Sequence, residues 1–89
     1  MKISREKREK ISEQILAYLF SVNPQPVFTA KIAIEIIRDE EFTKKLLLEL
    51  KKKELVKEIK KNPKGAPYLK RSRWVLTDKT YFVYKNLNR

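Results

Sequence analysis

The chain has 89 residues, with 22 lysines and arginines against 11 aspartates and glutamates, no cysteine, no histidine and one glycine. Those absences exclude disulfides, thiolate zinc sites, the usual neutral-pH general base and any glycine-rich phosphate loop, so neither an enzyme nor a cofactor is expected. The length suits a single domain, and a hydrophobic fraction of 42% is enough for one modest core.

The first element is a helix. Apolar residues at Ile11, Ile15, Tyr18, Leu19 and Val22 make the stripe of an amphipathic helix. Ser4 stands where an N-cap would, and the charged residues 1–10 form an extension that either prolongs the helix or stays loose. The apolar run Ile15–Phe20 is too short to span a bilayer, and the charged start, MKISREKREK, is not a signal peptide. A soluble, cytoplasmic protein with no membrane partner is therefore expected. Asn23-Pro24-Gln25-Pro26 stops the helix, and Val27–Phe28 is long enough for one short edge strand.

Thr29 is the expected cap of a second helix, Ala30 to about Arg38, apolar at Ile32, Ala33, Ile36 and Ile37. Asp39 is the expected cap of a third, running through Lys53, with Glu40 and Glu41 in its first turn and Phe42, Leu46, Leu47 and Leu50 facing inward. Residues Leu55–Lys60 and Ser72–Leu76 read as paired strands, the second with Trp74 and Leu76 on one face and Arg73 and Val75 on the other. Between them a loop bends at Gly65. Thr77 caps a last short helix carrying Tyr81, Phe82, Val83, Tyr84 and Leu87.

Charge is distributed unevenly along this series. Residues 1–41 hold equal numbers of cations and anions, so the whole net charge of +11 lies in residues 42–89. An imbalance of that kind suits a polyanionic partner. Its densest part is the loop at residues 60–73, with Lys60, Lys61, Lys64, Lys70, Arg71 and Arg73 and no acid. A projecting loop carries charge beyond the globule, where it can line a phosphate backbone or an adjacent minor groove. The acidic group Glu35, Asp39, Glu40 and Glu41 is explained by capping and helix-dipole chemistry, so no metal is assigned to it.

The order of these pieces resembles the winged helix-turn-helix family of DNA-binding proteins, in its small archaeal and bacterial form. The resemblance lies in Thr29–Lys60 and Arg73–Tyr81: an alanine midway along the motif's first helix (Ala33), leucines lining the next (Leu47, Leu50), a Leu55–Val56 step opening the wing and Trp74–Thr77 closing it. It implies an α+β fold with a three-helix core, a small antiparallel β-hairpin wing and a short C-terminal helix. One domain, residues 1–89, would hold the helix-turn-helix at 29–53, the wing at 55–76 and the last helix at 77–88. The family often has glycine in the turn between its motif helices and again before the Leu–Val step. Ile37 and Glu54 stand there instead, so a differently shaped turn and a shifted helix end are expected.

The resemblance also implies a partner, duplex DNA, and a role in transcription regulation. The third helix would lie in the major groove with Lys44, Lys45 and Leu48 toward base edges and Lys51 and Lys52 nearer phosphate. That face carries no arginine, asparagine or glutamine, so charge outweighs sequence discrimination. RNA is the runner-up partner, alongside sequence-nonspecific coating of DNA and a protein-interaction role. The aromatic last helix, with Tyr81, Phe82, Tyr84 and Leu87, is the expected homodimer interface together with the first helix.

Overall fold

The computed structural model describes residues 4–61, 64–65 and 71–87. The elements in chain order are α1 (Arg5–Val22), β1 (Val27–Phe28), α2 (Thr29–Ile36), α3 (Glu40–Lys52), β2 (Val56–Ile59), β3 (Arg73–Leu76) and α4 (Asp78–Leu87). The strands form one antiparallel sheet in the order β1-β3-β2. β3 is central, with Trp74 opposite Val27 on one side and Glu58 on the other.

Ser4 caps α1 as expected: its side-chain oxygen accepts the Lys7 backbone N–H at 3.2 Å. The charged segment therefore extends the helix from Arg5, where Glu6 favours the positive end of the dipole. Ile11, Ile15, Leu16 and Leu19 bury the inner stripe of α1. They meet Ile32 from α2, Leu46, Leu47 and Leu50 from α3, and Val56, Trp74 and Leu76 from the sheet. Tyr18 and Phe42, both expected in the stripes, are only partly buried at the edge of this core. Val75, on the opposite face of β3, is buried too.

Thr29 is not the cap of α2, which corrects the expectation. It is the first residue of the helix, with Phe28 at the cap position and no side-chain cap bond. Its hydroxyl is buried and accepts the Trp74 indole N–H at 2.7 Å. A buried indole needs an acceptor, and this demand from 45 residues away takes the hydroxyl that capping would have used.

The expected run of α2 to Arg38 is also corrected. The helix ends at Ile36, and Ile37 adopts the left-handed conformation at φ 56° and ψ 55°. The Ile37 N–H bonds to Ile34 O and the Arg38 N–H to Ala33 O, which is the Schellman pattern. α3 ends the same way, at Lys52 rather than Lys53. Glu54 stands at φ 61°, its N–H bonded to Lys51 O and that of Leu55 to Leu50 O. The two positions where the family often has glycine thus keep the backbone that glycine favours, with an isoleucine and a glutamate forced into it.

The remaining caps match the sequence reading. Asp39 accepts the Phe42 N–H at 3.1 Å. Thr77 accepts the Thr80 N–H at 3.3 Å, while its hydroxyl also lies 3.0 Å from Glu54 O, tying the start of α4 to the turn after α3. Gly65 in the wing has φ +87°, the left-handed region for which glycine suits the bend.

A left-handed L-residue costs roughly 1–2 kcal/mol, and glycine costs about 0.5–1 kcal/mol in added unfolded-state freedom. Ile37→Gly and Glu54→Gly should therefore each stabilise the fold by about 0.5–1 kcal/mol, raising Tm by a few degrees. Urea titration checks this. A higher midpoint at unchanged slope is expected, and a lower midpoint would show that these side chains contribute more than their backbone strain.

Candidate nucleic-acid interface

Lys44, Lys45, Leu48, Lys51 and Lys52 all lie on the exposed face of α3. They share that face because Thr43, Leu46, Leu47 and Leu50 are drawn into the core on the other side. Thr43 belongs inside because its hydroxyl donates to Asp39 O at 2.8 Å, so no polar group is left bare.

The wing cations stand beside this helix. Lys60, Lys61, Lys64 and Arg71 are exposed, and Arg73 is half-buried. Lys70, the sixth cation read from the sequence, lies outside the described residues. The Arg71 guanidinium sits 4.2 Å from the centre of the Phe28 ring, a cation–π arrangement that holds the charge in place. Arg73 donates to Lys61 O at 3.4 Å across the hairpin.

Two features join the helix face to the wing. The first is a groove of about 140 Å³ lined by Phe28, Thr29, Glu40, Glu41, Lys44 and Arg71 among others. Lys44, from the start of α3, and Arg71, from the foot of the wing, thus open onto one concavity. The second is Glu58 on β2. Its carboxylate accepts Lys51 Nζ at 2.9 Å and the Ser72 hydroxyl at 2.6 Å, with Lys60 Nζ at 3.9 Å. Its side chain is 4% exposed.

Glu58 was not singled out by the sequence reading, although a signal was present. Strand alternation places it on the same face as buried Val56, and it is the one acid in the basic hairpin. An acid on an inward face needs partners, and the hairpin supplied them. Burial pushes its pKa up, but the Ser72 hydrogen bond and the Lys51 and Lys60 charges outweigh burial and hold it below its ordinary value.

Elsewhere, α4 packs on α1 through aromatic rings. Phe20 lies 5.4 Å from Tyr81 and 5.8 Å from Tyr84, centre to centre. Burial, and then the Glu13 charge, raise the pKa of Tyr84. Tyr81 and Tyr84 therefore serve the contact between α1 and α4 within one chain, whereas Phe82, Val83 and Leu87 are exposed. Glu35 pairs with Lys31 at 3.0 Å and Asp39 is a cap. Among the described residues no group of acids could hold a metal ion, and no helix is long and apolar enough to cross a membrane.

Solved structures share this arrangement. A complex of Staphylococcus aureus MepR with DNA superposes with a TM-score of 0.74 at 18% identity, covering 93% of this chain and 65% of that one. The fold is a winged helix. The PcaV transcriptional regulator of Streptomyces coelicolor matches at a TM-score of 0.70 and 18% identity, over 93% of this chain and 57% of that one. A Lactococcus lactis ZitR mutant in its apo form matches at 0.66 and 24%, over 93% and 60%. The chain thus spans between half and two thirds of the length of these winged-helix structures. No protein-family model matches the sequence, and neither does any curated protein. In the winged-helix frame α2 and α3 stand where the helix-turn-helix does, and β2 and β3 where the strands of the wing do.

Because folded Glu58 binds its proton more weakly than unfolded Glu58, it adds stability above its ordinary pKa of 4.5, and that contribution is lost as pH falls through the lower folded value. Glu58→Gln should lower Tm at pH 7, with the gap to the parent closing as pH falls below 4.5 and through the folded value. Thermal melts across pH check this. A gap independent of pH would remove the carboxylate from the account.

Proposed function

We propose that this winged helix binds duplex DNA and acts as a small transcriptional regulator. The observation that carries the reading is the groove onto which Lys44 and Arg71 both open, beside Glu40 and Glu41, which brings the start of α3 and the foot of the wing together. α3 enters the major groove and presents Lys44, Lys45 and Leu48 to base edges, a lysine to guanine acceptors and a leucine to a thymine methyl. Lys52 and the wing cations Lys60, Lys61, Lys64, Lys70, Arg71 and Arg73 follow the backbone on either side of the groove. The fold supports the assignment, since MepR has been solved with DNA and PcaV is a transcriptional regulator.

The balanced charge of residues 1–41 suits a face turned from the nucleic acid. Lysine dominates the contact surface and no side chain on it forms a bidentate fork, so affinity exceeds discrimination. In this reading the protein works in the cytoplasm. A second copy covers Phe82, Val83 and Leu87 on α4, which are exposed although large and apolar. A homodimer paired there through α1 and α4 presents two α3 helices to successive major-groove turns.

Each neutralised phosphate contributes about −0.9 to the slope of log affinity against log salt. With six to eight cations engaged, the slope should be about −5 to −7. Changing Lys52, Lys61 and Arg71 together to alanine should flatten it by about 2.7 units and weaken binding on the order of 10²-fold at 0.1 M salt. Fluorescence anisotropy with a mixed-sequence duplex measures both, with structured RNA as competitor. Retained affinity and slope in the triple variant, or preferential capture by the RNA, would overturn the duplex reading.

A further inference from the structure

Glu58 is a negative charge inside a surface built to meet a polyanion. Simple electrostatics would have the hairpin do without it. It is the single carboxylate between Leu55 and Leu76, and its side chain is nearly sealed from water. Yet it touches three elements of the interface. Lys51 reaches it from the last turn of α3, it stands on β2, and the Ser72 hydroxyl meets it at the start of β3. Ser72 continues the path, since its backbone carbonyl accepts the Thr29 N–H of α2 at 3.3 Å.

We propose that Glu58 is a positioning residue, which locks the wing hairpin to α3 at the angle that lets both meet one duplex. This rests on the DNA-binding reading above. The bond from Lys51 restrains the foot of the wing against α3, and the bond from Ser72 restrains β3 against β2 where the hairpin leaves the sheet. The β2–β3 ladder runs from Val56 opposite Leu76 to Ile59 opposite Arg73, with Glu58 next to its outer end, so a small tilt there is carried toward Gly65. Lys51 is accordingly a brace, its ammonium bonded to Glu58, and phosphate contact on this helix falls to Lys52. The bonds are charge-assisted and, at the Glu58 end, shielded from water, conditions under which such contacts hold their geometry.

Electrostatics and positioning predict opposite signs. Glu58→Gln makes the protein more positive by one charge and releases Lys51 and Lys60. If charge alone governed binding, the variant would bind duplex more tightly with a steeper salt slope. If Glu58 positions the wing, Glu58→Gln should bind about 5-fold more weakly at 0.1 M salt with a shallower slope, because phosphate contacts are lost. Ser72→Ala breaks the same lock at unchanged charge and should weaken binding about 2-fold. Both are measured at a temperature where circular dichroism shows full folding. Should Glu58→Gln not fold, Ser72→Ala decides: weaker binding supports the proposal and parent-like binding overturns it.

A second readout needs no DNA. The chain has no cysteine, so Lys45→Cys with Lys64→Cys places one spin label on the α3 face and one at the wing tip. A narrow distance distribution that broadens or shifts in Glu58→Gln is expected. An unchanged distribution, or binding as tight as the parent's, overturns the proposal. If the parent shows no salt-dependent duplex binding, the DNA reading falls, and the distance distribution alone decides whether Glu58 holds the wing.

Discussion

Trp74 is the joint on which the winged helix depends. Its side chain is completely buried, and removing an indole of that size from water contributes about 5 kcal/mol. Its backbone stands between β1 and β2 in the sheet, and its indole N–H reaches across to Thr29 at the start of α2. One residue thus sets where the sheet lies and where the helix-turn-helix begins. The hydrogen bond matters through its absence as much as its presence, since an unpaired buried N–H costs about 1–3 kcal/mol. In a domain of 89 residues that is a large part of the net stability.

Around this joint the molecule separates two kinds of surface. The α1 and α4 side is held by aromatic packing of Phe20 against Tyr81 and Tyr84. The α3 and wing side carries the excess cations, and its interior is tied by polar bonds through Glu58, Ser72 and Thr29. Apolar packing tolerates small rearrangements among similar shapes, whereas a charge-assisted bond has a preferred distance and direction. The polar ties lie on the side where the spacing between helix and wing has to match a duplex.

Much of the fold was legible because helical stripes and strand alternation are local signals. Ile11, Ile15 and Leu19 are spaced for one helix face, Asp39 precedes an acidic first turn, and Trp74 and Leu76 alternate with Arg73. All took the expected places. What failed did so where a distant partner overrode a local preference. Thr29 reads as a cap until Trp74 claims its hydroxyl. Ile37 reads as helix because nothing local marks isoleucine for a left-handed turn, and the Schellman bonds that hold it there follow from packing α3 against α2. The basic character of the second half was plain from composition. Which cations are committed inside the molecule was not, because that depended on Glu58 being turned inward.

The central claim is that the α3 face and the wing form one surface for one duplex. Amide chemical shifts of isotope-labelled protein titrated with a short duplex test it most directly. The account predicts perturbations at Lys44, Lys45, Leu48, Lys60, Lys61 and Arg71 that rise together along a single binding curve, with Ile11–Leu19 of α1 unmoved. Perturbations centred on α1 and α4, or α3 and wing signals that respond at different duplex concentrations, would contradict it.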